Sequence, residues 1–90
     1  LSGADMTGVD LSYADLSNAN LAGADLSRAN LTGANLSNTD LYRVNLARAV
    51  LARTNLSGAS LSEANLDRVD LSTANLTDAI LAQLAFSKEN

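Results

Sequence analysis

The chain has 90 residues, 47% of them apolar but only three aromatic (Tyr13, Tyr42 and Phe86), so one small domain must be filled with short aliphatic side chains. Ten acidic and six basic side chains give a formal charge of −4, spread singly rather than gathered in a tail. With no Cys and no His, disulfides, thiolate sites and the commonest metal ligand and general base are excluded.

From Leu1 onward an apolar residue returns every fifth position. Of the 18 such positions up to Phe86, 16 are Leu and the others are Met6 and Phe86, so one period organises the whole chain. Five residues advance a helix by about 140°, which would scatter the leucines around the cylinder. In a straight strand an odd spacing sends successive leucines to opposite faces. Two positions before each Leu stands a small residue: Ala in 11 of 17 units, otherwise Val9, Val44, Val69, Thr39, Thr54 or Leu84. An extended triplet therefore points the small residue and the Leu inward and the residue between them outward. The two residues that follow must turn a corner. Ser or Thr fills the first in 12 of 18 units, and all five glycines fall on the second, as a turn requires. Corners repeated in one sense wind the chain into a solenoid.

Residues 14–31, ADLSNANLAGADLSRANL, show the unit A-(D/N)-L-x-x plainly. It resembles the pentapeptide-repeat family, and the resemblance covers essentially the whole chain. It implies an all-β fold, a right-handed quadrilateral β-helix of about four and a half coils, with four units per coil and one Leu on each face. A 20-residue coil has some support in the residues themselves, since LSN at 16–18 returns at 36–38 and as LSG at 56–58. A buried Leu contributes roughly 2 kcal/mol, whereas ordering each residue costs on the order of 1–2 kcal/mol. One coil cannot stand alone. Stacking at about 4.8 Å supplies the rest, and the end coils need covering.

The outward slot carries Asp or Asn in 13 of 17 units, with Asp5, Asp10, Asp15, Asp25, Asp40 and Asp70 interchanging with seven Asn. That interchange points to local backbone bonding rather than to a calcium array or a nucleic-acid mimic. The basic residues all occupy the last position of their units, a slot expected to face water. With a 20-residue coil, Arg28, Arg48, Arg68 and Lys88 form one column, with Arg43 and Arg53 on the neighbouring faces. Like charges about 5 Å apart in water cost on the order of 0.8 kcal/mol per pair, so this stripe is a candidate partner-binding surface, and Asp5, Asp25 and Asp67 are internal alternatives for offsetting it. Tyr13, Tyr42 and Val50 are scattered outward groups of the ordinary kind. Ser17, Ser37, Ser57 and Thr77 make one small, neutral, flat face.

From Asp78 onward the pattern weakens, because Ile80 and Ala85 stand where Asp or Asn belonged. Residues 78–90 are expected to form either an irregular last half-coil or a short capping helix with Ile80, Leu81 and Leu84 on one face. Ile80, Leu84 and Phe86 are candidates for an end or dimer contact, which would allow end-to-end self-association. The run Ala79–Ala82 is too short to span a membrane and no signal peptide is visible, leaving the cytoplasm as the default expectation. Leu1 is already in phase with the repeat, so the chain is expected to belong to a longer bacterial protein.

No catalytic, cofactor-binding or metal-ligating set is visible, and no small-molecule substrate is expected. The residues favour a scaffold or protein-interaction module whose rigid faces lose little ordering entropy on docking. Some members of the family resemble a DNA rod and protect type II topoisomerases such as gyrase. That alternative is weakened here by the basic stripe. Direct nucleic-acid binding is disfavoured by the charge of −4.

Overall fold

The computed structural model describes residues 1–85. Each five-residue unit is a corner followed by a short face. The corner is a β-turn closed by the N–H of the small residue onto the carbonyl of the preceding Leu, as from Ala24 to Leu21 (3.0 Å) and from Ala34 to Leu31 (2.9 Å). At every described corner except one, the third turn residue has φ between +56° and +71° while the second does not, the pattern of a type II turn.

The Asp/Asn slot explains why these corners form. At all thirteen outward slots filled by Asp or Asn, its Oδ1 accepts a hydrogen bond from the N–H two residues on, just after the inward Leu (Met6 in the case of Asp5). Where that residue is Ser or Thr, its hydroxyl often donates to the same oxygen, at 2.6 Å from Ser27 to Asp25 and 2.7 Å from Ser37 to Asn35. The side chain thus fixes the entry to each turn. Asp and Asn serve alike, as their free interchange predicts.

Parallel bridges join residues 20 apart, from Asp5↔Asp25 to Asn65↔Ala85, so four units close one coil. Each bridge involves a single residue per coil, and among the described residues there is no helix or longer strand. A complete rung has three main-chain hydrogen bonds. Around Asn45 these run from Leu26 N–H to Asn45 O (2.7 Å), from Arg28 N–H to Ala47 O (2.9 Å) and from Asn45 N–H to Ala24 O (3.0 Å). Between the faces lies a core in which ten leucines, from Leu21 to Leu66, are almost wholly excluded from solvent. The leucines of the outer coils, such as Leu11 and Leu76, are only partly covered. Thr39 and Thr54 replace Ala in the core without leaving a polar atom unpaired. Their hydroxyls donate to Leu36 O and Leu31 O, both at 2.7 Å.

One rung is broken. Between Val50 and Asp70 the bridge is missing, together with the bonds that the pattern requires from Leu51 N–H to Asp70 O, from Asp70 N–H to Ala49 O and from Arg53 N–H to Ser72 O. The cause lies at Thr73, whose corner is the one without a positive φ. Thr73 is also the only β-branched residue in that corner slot, and branching at Cβ makes the left-handed conformation costly. The turn takes another path, and Thr73 Oγ1 accepts the Arg53 N–H at 3.0 Å in place of the lost carbonyl.

The weakened end continues the repeat further than the residues suggest. Asp78 and Gln83 take left-handed corners, and Ile80 and Ala85 pair with Ser60 and Asn65, so residues 78–85 form neither an irregular half-coil nor a capping helix. Loss of the Asp/Asn oxygen removes one bond per turn but leaves the main-chain ladder intact. The rest of the expected cap, residues 86–90, lies outside the described residues.

Candidate functional site

The 20-residue coil sets the corner slots in four columns. One column runs Gly8, Arg28, Arg48, Arg68, with Arg28 N–H bonded to Ala47 O and Arg48 N–H to Asp67 O (both 2.9 Å), so successive arginines leave adjacent coils. All three guanidinium groups are carried by left-handed corner residues and are exposed. Arg28 and Arg48 make no side-chain hydrogen bond or ion pair with any described residue. Neither is offset by Asp25, whose carboxylate is turned to Ser27. Lys88, which would extend the column, lies outside the described residues.

Arg43 and Arg53 belong elsewhere. Arg43 Nε donates to Glu63 Oε1 at 3.1 Å and its guanidinium sits 5.3 Å from the centre of the Tyr42 ring. The Tyr42 hydroxyl donates to Glu63 Oε2 at 3.3 Å, and the bond to Glu63 raises the affinity of Arg43 for its proton. Arg53 Nη2 reaches the Tyr13 hydroxyl, 3.4 Å away and two coils distant. The Tyr13 ring can cross the intervening coil because Gly33 stands there, where a β-carbon would come within 2.5 Å of Tyr13 Cε1. These two arginines are tied into the surface. The stripe therefore narrows to the Arg28–Arg48–Arg68 column.

The carboxylates of Asp10, Asp15, Asp25 and Asp70 are held below their ordinary pKa, first by the neighbouring Ser hydroxyl and then by the Ser N–H. They are turn locks. No three acidic side chains among the described residues gather as a metal site. At the other end, Ile80 is 54% exposed and Leu81 40%, while Leu84 packs partly against the core. Phe86, the third member of that candidate contact, lies outside the described residues. No helix among the described residues is long and apolar enough to cross a membrane.

Sequence reasoning did not find the cleft beside the arginine column. Where the rung opens, a hollow of about 400 Å³ is lined by Arg48, Ala49, Val50, Leu51, Ala52, Arg68, Asp70, Ser72 and Thr73. The signal was present in Thr73, the lone branched side chain in a slot that needs positive φ.

Corner, face and ladder together define a repeat solenoid whose unit is five residues and whose coil is four units. The family described as pentapeptide repeats (8 copies) matches residues 1–38, 10–47 and 44–83, and the protein belongs to that family. Among solved structures it is similar to Rfr23, a pentapeptide repeat protein from the cyanobacterium Cyanothece 51142, at 35% identity and a TM-score of 0.96, covering 99% of this chain and 60% of Rfr23. It is also similar to alr5209, a pentapeptide repeat protein from Nostoc PCC 7120, at 32% identity and a TM-score of 0.53, over 92% of this chain and 84% of that one. The chain thus spans about three fifths of the length of Rfr23. No curated protein matches it.

Proposed function

We propose that this chain is a non-enzymatic interaction module: a right-handed quadrilateral β-helix, within a longer bacterial protein, that offers its Arg28–Arg48–Arg68 edge to an acidic protein partner. The observation that carries this reading is the state of that edge. Three cations are stacked at coil spacing on corners fixed by main-chain bonds, and two of them have no ion-pair partner among the described residues. Pairing such a column with carboxylates offsets the mutual repulsion and adds charge-assisted hydrogen bonds. Because the backbone is already ordered, docking loses little conformational entropy.

The test is a pull-down comparing the native chain with the variant Arg28→Ser/Arg48→Ser/Arg68→Ser. The native bait is expected to retain an acidic partner that the variant loses. Identical recoveries from both baits would assign the column to solvated surface. A second expectation separates this reading from a DNA-mimicking protector of type II topoisomerases, which needs an acidic rod. Supercoiling by purified gyrase should be unchanged by addition of the chain. An exposed Ile80 also supports a weak end contact, testable by concentration-dependent mass in sedimentation.

A further inference from the structure

We infer that the open rung between Val50 and Asp70 is a slot for an extended acidic peptide segment of the partner, with one of its carboxylates held between Arg48 and Arg68. This deepens the interaction-module reading and rests on it. Three observations converge on the slot.

The first is main-chain chemistry. With the rung broken, Leu51 N–H and Asp70 N–H have no acceptor among the described residues, and Ala49 C=O, Asp70 C=O and Ser72 C=O have lost their ladder donors. Ala49 C=O and Leu51 N–H lie two residues apart on one coil, the acceptor and donor pair that an extended peptide reads when it adds to a strand edge. Every other rung between described coils is closed, so this is the one interior place on the described wall where such pairing is available, apart from the open edges of the first and last coils.

The second is charge. Arg48 and Arg68 both line the hollow, one coil apart, and the Arg48 side chain has no protein partner among the described residues. Asp70 also lines it, but its Oδ1 accepts from Ser72 N–H at 2.9 Å and is committed to its own turn. A guanidinium is well suited to a carboxylate, which it can meet with two parallel N–H donors. The third is the apolar floor. Val50 stands in the outward slot where nearly every other unit has a polar residue, and it is 47% exposed. An apolar residue flanking the acidic one would cover it.

Thr73 holds the slot open. Its hydroxyl replaces the Ser72 carbonyl as acceptor for Arg53 N–H, so one bond of the rung is satisfied while the others remain available. Restoring a residue that accepts a left-handed corner should close the rung and abolish the slot without harming the fold.

The experiment uses the 15N-labelled chain and a blocked pentapeptide of alternating Val and Glu, with its Val and Gln counterpart and sodium acetate as controls. Saturable shifts are expected at the Leu51 and Asp70 amides with the Glu peptide. Binding should weaken at least tenfold with the Gln peptide, with Arg48→Gln and with Thr73→Gly. Slowed hydrogen exchange at Asp70 in Thr73→Gly reports that the rung has closed. If exchange there is unchanged, Arg48→Gln carries the test, since the Arg48 side chain makes no hydrogen bond or ion pair with any described residue. The proposal is overturned if neither amide shifts saturably at millimolar peptide, or if Arg48→Gln binds as tightly as the native chain. Equal binding of the Gln peptide would overturn carboxylate recognition, and acetate binding as tightly as the Glu peptide would reduce the slot to a free-anion site. Any of these results overturns the slot alone, because the pull-down reads the whole arginine column.

Discussion

A corner that demands positive φ treats side chains very differently. Gly enters freely, and Asn, Arg, Glu, Asp, Gln and Tyr are accepted here, but Thr73 is not. Thr73→Gly is therefore expected to restore three ladder bonds and to raise stability by about 1 kcal/mol, which for a domain of this size is a rise in Tm of roughly 5 °C. A melting curve of the variant checks it. Gly33→Ala should act in the opposite sense, since the new methyl would displace the Tyr13 ring and break its contact with Arg53. The acid response belongs to the same scale. Asp10, Asp15, Asp25 and Asp70 have folded pKa values lowered from 3.8, so the unfolded chain binds protons more tightly in acid. Their contribution is complete above the unfolded pKa and is lost as pH falls through the folded values. Melting temperature should be level from neutral pH to about pH 5 and fall below about pH 4. Asp25→Asn, which keeps the turn bond without the titration, should make that fall shallower.

At the level of the coil, stability comes from leucine columns stacked under a hydrogen-bonded wall. Leu46 is fully buried, with coils above and below, so Leu46→Ala is expected to cost about 2–5 kcal/mol. Leu11→Ala, in an outer coil, should cost distinctly less, and urea titrations of the two variants make the comparison. Much of this was legible in the residues. The five-residue period, the inward Ala and Leu, the turn pair and the backbone role of Asp and Asn all follow from local sterics and hydrogen bonding. What could not be read were contacts that depend on the pitch of the coil. Arg53 meets Tyr13 across 40 residues only because Gly33 lies flat between them, and Arg43 meets Glu63 only because a coil is 20 residues long. The broken rung was hidden for a different reason. Thr is frequent one position earlier in the unit, where it does no harm, and its slip to the next position is visible only once the φ of each slot is known.

On the whole molecule, the fold separates an inside that cannot vary from an outside that can. The inside is a core of leucines almost wholly excluded from solvent in the middle coils. The outside is a set of rails at fixed spacing, one of them basic on an otherwise acidic protein. Its binding should weaken as salt rises, because exposed ion pairs are screened over about 10 Å at 0.1 M. Capture of the partner by the native chain at low ionic strength, and its release near 0.5 M salt, would agree with an edge that works by charge. Retention at high salt would move the interface to the exposed apolar groups around Ile80 and Leu81.

The thirteen turn locks accept through Oδ1 whether they belong to Asp or to Asn. The geometry of the turn is consequently the same whether the lock is charged or neutral. Exchanging the six Asp for Asn would move the formal charge from −4 to +2, and exchanging the seven Asn for Asp would move it to −11, with no turn oxygen lost. Single-step mutation can thus carry such a solenoid from cationic to strongly anionic while its skeleton stands still. Selection on surface potential and selection on foldability act on nearly independent variables, and one scaffold can be retuned for partners of either sign.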